Sequence, residues 1–201
     1  MQRKNRGYKR GEPFRDSTLF VLACEGAVRE KEYFEYLGER SSRIRIKVLQ
    51  QEGEHRSAPK WVLDCAATYV TEIGLINDDQ LWFVMDTDRW PEDQLRAIQQ
   101  ACQQNLNWFL ALSNPCFEVW LYLHVDEIEK SASTSCGDLK KELAEKTKGG
   151  YNKKDYISKI RVAHARSEQG DRDPNHFIPT VMSTKLYRLT GEIFRVIGND
   201  F

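Results

Sequence analysis

Three carboxylates stand directly behind apolar runs: Glu25 follows Thr18-Leu19-Phe20-Val21-Leu22-Ala23, and Asp86 and Asp88 follow Leu81-Trp82-Phe83-Val84-Met85. Hard divalent cations such as Mg²⁺ prefer oxygen ligands and usually keep several waters, so two or three carboxylates with a substrate phosphate suit such an ion. Without an ion the same acids would repel one another. If extended geometry continues through Asp88, Asp86 and Asp88 share one face, because alternate residues of a strand point the same way. A plainer reading stands beside this one: Asp86 and Asp88 cap the helix that begins near Pro91, and Glu25 is a solvated turn acid. His55, His164 and His176 have no ligand spacing with cysteine, which argues against zinc, and no GxxxxGK[ST] is present to support ATP hydrolysis by this chain.

The elements that would position these acids alternate. Apolar or period-two runs predict strands over Thr18–Ala23, Arg43–Leu49, Leu81–Met85 and Asn107–Leu112. The second of these alternates basic and apolar side chains, which places it near a sheet edge. Helical spacing predicts helices over Val28–Arg40 and Pro59–Ile73, and from Pro91 to about Gln104. Strands alternating with helices give an α/β class with a mainly parallel sheet. In such sheets ligands bind beyond the carboxyl ends of the strands, so Glu25, Asp86 and Asp88 share a crevice if the first and third strands are neighbours. After Ser113-Asn114-Pro115 the pattern turns helical, over Asp138–Lys148, from Lys153 to about Arg166, and from Pro179 to about Ile197, with no clear strand beyond Leu112. Gly149-Gly150 and the stretch from Gln169 to Asn175 read as exposed loops.

The chain has 201 residues, 40% hydrophobic and 30% charged, enough for a buried core and too apolar for wholesale disorder. The expected organisation is a flexible basic arm over 1–15, an α/β core over 16–125 and a helical extension over 126–201 packed on that core. Basic and acidic residues balance at 30 each, so a nucleic-acid partner needs a local patch. The arm supplies one, with Arg3, Lys4, Arg6, Lys9, Arg10 and Arg15 against Glu12. The five cysteines show no CxxC, and no apolar run nears the roughly 20 residues that cross a bilayer, so the expected setting is a reducing cytoplasm without membrane insertion.

Three blocks of residues carry a family resemblance. Cys24-Glu25-Gly26 with Glu30 and Tyr33-Phe34 resembles the opening signature of the RloB family, a strand followed by CEG, TE and YF. Trp82 to Asp88 resembles that family's strand ending in DxD, and Ser113-Asn114-Pro115-Cys116-Phe117-Glu118-Val119-Trp120-Leu121-Tyr122-Leu123-His124 resembles its SNPCFE-x-WLLLH block. The match runs from about Thr18 to His124, with weaker echoes at Tyr151 with Lys153 and near Pro179-Thr180.

RloB-like proteins in turn resemble the Toprim group, which implies a Toprim-like, four-stranded, mainly parallel sheet flanked by helices. It also implies a Mg²⁺-dependent nuclease, with Mn²⁺ as a substitute, in which Glu25 does acid/base work while Asp86 and Asp88 join it around the metal. The implied setting is bacterial anti-phage defence, with RNA or DNA as substrate, a partner protein such as an ATPase, and a homo-oligomer. The alternative is a non-catalytic sensor of nucleotides or nucleic acid, or a partner module in a defence complex. Two residues depart from the family pattern: Arg29 stands where Thr is common, and Trp90 where a third acid can stand. Within the third block Phe117, Trp120, Leu121 and Leu123 read as core. Glu118 is a candidate to face the metal crevice as a further catalytic residue. His124 reads as a hydrogen-bonded core or capping histidine, with a functional role as its alternative.

Overall fold

Side chains that leave a strand no solvated face end up between two layers of helices. In the computed structural model, which describes residues 17–25, 28–49, 58–76, 78–147 and 150–198, β1 (Thr18–Cys24) and β3 (Gln80–Asp86) are buried along nearly their whole length. Leu19, Val21 and Ala23 face one apolar layer, whereas Phe20, Leu22 and Cys24 face the other, as a period of two requires. β2 (Ile44–Leu49) exposes Arg45 and Lys47, pairs only with β1, and is an edge strand. β4 (Trp108–Asn114) pairs with β3. These four strands run parallel in the order β2-β1-β3-β4, so their carboxyl ends form one rim. At the opposite rim the buried Asp79 accepts from the amides of Leu19 (2.9 Å) and Ile76 (3.2 Å), which pins the start of β1 beside the turn into β3.

Helices α1 (Arg29–Gly38), α2 (Pro59–Ile73) and α3 (Glu92–Gln104) connect the strands, with α2 starting and ending as its apolar period predicts. Residues of α2 and α3, including Val62, Ala66, Leu95 and Ile98, cover one sheet face. α1 and the later helices cover the other. α4 (Glu118–Val125) is apolar nearly all round and is buried from Glu118 to His124, as a helix with no polar face must be. Then follow a short 3₁₀ turn (Ile128–Lys130), α5 (Cys136–Lys146), α6 (Lys153–Ser158), α7 (Ile160–Gly170) and α8 (Leu186–Ile197). α8 turns Leu186, Leu189, Ile193 and Ile197 inward and contacts both β2 and β4.

The C-terminal part departs from its periodicity in three places. The helix predicted from Lys153 to Arg166 breaks at Lys159, because its first piece packs on α1 and its second on α4. The helix predicted from Pro179 starts only at Leu186. Ahead of it Ser183–Thr184 forms β5, antiparallel to the end of β4 with Thr184 opposite Ser113, so the sheet has five strands and a strand does follow Leu112. Two residues are too few to show a period. The loop predicted to be exposed over 169–175 contains the buried Asp171, which meets the equally buried Lys185 at 2.6 and 2.7 Å. The basic arm at 1–15, Gly26, Gly149 and residues 51–57 lie outside the described residues.

Candidate functional site

The carboxyl rim gathers acids from three neighbouring elements. Glu25 is the first residue past β1, and its amide donates to the Val84 carbonyl (3.2 Å) on β3. Its Oε2 accepts from the amide of Asp86 (3.3 Å), the last residue of β3. The adjacency of β1 and β3 therefore puts Glu25 and Asp86 side by side. Asp88 arrives differently from the alternation reading. Strand geometry stops at Asp86, and residues 87–90 form a series of bends. The amides of Thr87 and Asp88 both donate to the Pro115 carbonyl (3.1 and 3.2 Å), and Thr87 also donates to Ser113 (3.0 Å). Ser113-Asn114-Pro115, with a cis Asn114–Pro115 bond, thus forms the backbone cradle of the Asp86-Thr87-Asp88 turn. No side chain caps α3, whose first turn is preceded by Pro91, so the helix-capping reading of the two aspartates has no hydrogen bond behind it.

Glu118 opens α4 with only 6% of its surface exposed. It lies 3.5 Å from both Arg29 and Lys140, and its Oε2 is 3.5 Å from the Cys136 sulfur. Arg29, where the family commonly has Thr, thus supplies a cation. Glu30, in the first turn of α1, belongs to the same cluster, although only its place in the CEG/TE signature drew attention to it. Its signal was an acid in the turn that follows the crevice strand, indistinguishable in sequence from the usual acids of a helix start.

These carboxylates act on one another through their charges. Burial, reinforced by Glu25, Glu30, Glu118 and Asp88, pushes the Asp86 carboxyl up to about 9. Burial also raises Glu25, with the Trp90 indole, the Asp86 amide and Arg89 pulling it back. The Trp90 N–H acts on Glu25 at longer range than a formed hydrogen bond. Glu30 is raised by burial and by Glu118.

The donor set of Glu25, Asp86 and Asp88 is all oxygen, which fits a hard divalent ion and not a thiophilic one. Among the described residues, these three do not bring ligand atoms within 4.8 Å of one another as a set, whereas Cys116, Glu118 and Cys136 do. The latter trio offers no thiolate, because the two sulfurs are joined in a disulfide that no cysteine spacing had indicated. An ion on this rim would be held by one or two of these carboxylates together with its own waters.

His124 is part of the core. Its Nδ1 donates to the Trp120 carbonyl (2.8 Å), its Nε2 accepts from the Tyr33 hydroxyl (2.9 Å), and burial lowers its pKa to about 3, so it stays neutral.

A pH effect follows from Asp86. Its folded pKa of about 9 lies above the ordinary 3.8, so between those values the folded protein holds a proton that the unfolded chain has lost. Its contribution to stability falls as pH rises through that window, and a cation that needs the carboxylate binds more tightly over the same rise. Thermal melts of the cation-free protein across neutral pH should show a steeper decline than melts of Asp86→Asn, which cannot ionise. Parallel slopes would mean that Asp86 is already ionised.

The family profile described as RloB-like protein matches residues 20–193, most of the chain. No curated protein and no solved structure matches it. Among the described residues no helix is long and apolar enough to cross a membrane.

Proposed function

The chain belongs to the RloB-like protein family, and on that basis we propose that it is a Mg²⁺-dependent nuclease of Toprim-like design that cleaves phosphodiester bonds of RNA or DNA. The observation that carries the reading is the pairing of Glu25 with Asp86 across β1 and β3, where burial and then the acidic neighbours raise the Asp86 carboxyl to about 9. Crowded, partly buried carboxylates are stabilised by a cation and destabilised without one. Asp86 and Asp88, with Glu25, are the residues to hold the ion, and Mn²⁺ fits the same oxygen donors. When bound, the ion polarises the phosphate and offsets its growing negative charge. Burial raises the Glu25 pKa above the ordinary carboxylate value, and a carboxyl at this position can give a proton to the leaving oxygen or take one from water. Glu118, held by Arg29 and Lys140, supplies negative charge behind Asp86. The proposed setting is the cytoplasm, as an effector of defence against phage, working with a partner protein such as an ATPase or as a homo-oligomer.

Calorimetric titration with Mn²⁺, alongside cleavage assays on tRNA, single-stranded RNA and DNA, tests this. Asp86→Asn is expected to weaken Mn²⁺ binding by at least ~10–100-fold, the loss seen when even an outer partner of a metal ligand is removed, and to leave the fold intact. Equal affinity in parent and variant would overturn the metal site. One observation favours a second reading: the three acids do not close on a common point. If the protein binds nucleic acid and cation but cleaves nothing, it is a sensor or partner module that uses the same rim.

A further inference from the structure

We propose that Cys116 and Cys136 form a reversible thiol–disulfide pair that couples redox state to the backbone holding Asp86 and Asp88. Two observations place the bond where such coupling is direct. Cys116 follows Pro115, whose carbonyl receives the amides of Thr87 and Asp88. Cys136 opens α5, and the next turn of that helix carries Lys140 to within 3.5 Å of Glu118. The bond therefore ties the cradle of the aspartates to the first turn of α5, with Glu118 between them.

The two sulfurs differ in access, and this fixes the direction of exchange. Cys116 is 1% exposed, whereas Cys136 is only partly buried. The thiolate of a small thiol reaches Cys136 and forms a new S–S bond there. The bond to Cys116 breaks, and Cys116 leaves with the electron pair and takes up a proton. A second small thiol then resolves the mixed disulfide. The protein disulfide gains two electrons and two protons, and two thiols become one small disulfide. In the reverse direction the oxidant is a small disulfide or a hydroperoxide.

Opening the bond removes one tether of α5 and leaves others. Leu139 and Leu143 stay buried, and Glu142 still accepts from Ser131, Ser133 and Tyr122. Ser135 continues to cap the helix through the Asp138 amide. The release is confined to the first turn of α5 and the Pro115 cradle. Cys24, Cys65 and Cys102 carry free thiols and serve as internal controls.

The full chain is oxidised with diamide or reduced with glutathione, alkylated, digested without reductant and mapped. A Cys116–Cys136 peptide should form on oxidation and disappear in glutathione. Amide hydrogen exchange at Thr87, Asp88 and the first turn of α5 should be faster in the reduced protein by up to ~100-fold, the change in an opening equilibrium that closing a loop of about this length brings. Cys136→Ser should show the fast pattern under both conditions, and Cys102→Ser should behave as the parent. Absence of the linked peptide, a bond that resists glutathione, or identical exchange at Thr87 and Asp88 in both states would each overturn the proposal. The further link to cation affinity rests on the metal-site reading. Mn²⁺ titration of both forms separates the two: if neither form binds Mn²⁺ while exchange differs, the metal site fails and the redox pair stands.

Discussion

Glu25→Ala is expected to slow metal-dependent phosphodiester cleavage by ~10²–10⁴-fold, the usual contribution of a positioned acid or base, while the protein remains folded. Glu25 stands past the last residue of β1, outside the buried run, and its one described side-chain hydrogen bond is to the Asp86 amide at the rim. Removing it also removes one of the charges that raise Asp86, so the cation-free protein should be no less stable near neutral pH. Glu25→Gln sharpens the test. Its amide oxygen can still accept from Asp86 but cannot transfer a proton, so it should be as slow as Glu25→Ala. Single-turnover rates at saturating Mn²⁺ decide, and a Gln variant as fast as the parent would assign Glu25 a positioning role only.

The largest expected loss of stability lies away from the rim. Asp171→Ala should destabilise the fold by ~3–5 kcal/mol, because it leaves the Lys185 ammonium buried without its counter-charge. Lys185 is 1% exposed, and its Nζ donates to both Asp171 oxygens (2.7 and 2.6 Å) and to the Asp173 carbonyl (2.7 Å). The Tyr187 hydroxyl donates to the same carboxylate (2.7 Å). Burial lowers the Lys185 pKa, whereas Asp171 is held below its ordinary value because the bonds from Lys185 and Tyr187 outweigh its own burial. The stabilisation from a depressed carboxylate is present above its unfolded pKa of 3.8 and disappears as pH falls through the folded value, so acid should narrow the gap between parent and variant. For a chain of this size the loss corresponds to a melting shift on the order of 10 °C. Asp171→Leu combined with Lys185→Met should recover much of it, since an apolar pair replaces a buried ion pair at little cost. A double variant no better than the single one would show that the loop needs these particular hydrogen bonds.

Most of the parallel sheet was legible because its signals are long and redundant. β1, β3 and the edge character of β2 follow from runs of five to seven residues whose burial is imposed on both faces or on one. The acids Glu25 and Asp86 were legible for a related reason: the rim lies where such runs stop. What escaped is set by contacts across long separations. Glu30 enters the crevice through the packing of α1, which no local spacing encodes, whereas Glu118 could be named as a candidate only from the block it shares with the family and from its polarity in an apolar helix. Cys116 and Cys136 lie 20 residues apart and meet only because α5 folds back over α4. Lys185, in a polar segment, gives no hint that it would be buried, since its partner is 14 residues away in what looked like a solvated loop.

β5 also bears on how the protein is made. Ser183–Thr184 completes the end of β4, where Ser113 bonds to Thr184 between hydroxyls at 2.8 Å and Lys185 donates its amide to Leu112 (2.8 Å). A ribosome emits β1 to β4 well before it emits β5, so while the residues between Asn114 and Ser183 are made the nascent chain carries an open strand edge beside the Ser113-Asn114-Pro115 cradle. Contacts of such sequence separation form late. The sheet edge beside that cradle is therefore closed only after β5 has been made. A truncated product ending before Ser183 would expose that edge to other chains and invite aggregation.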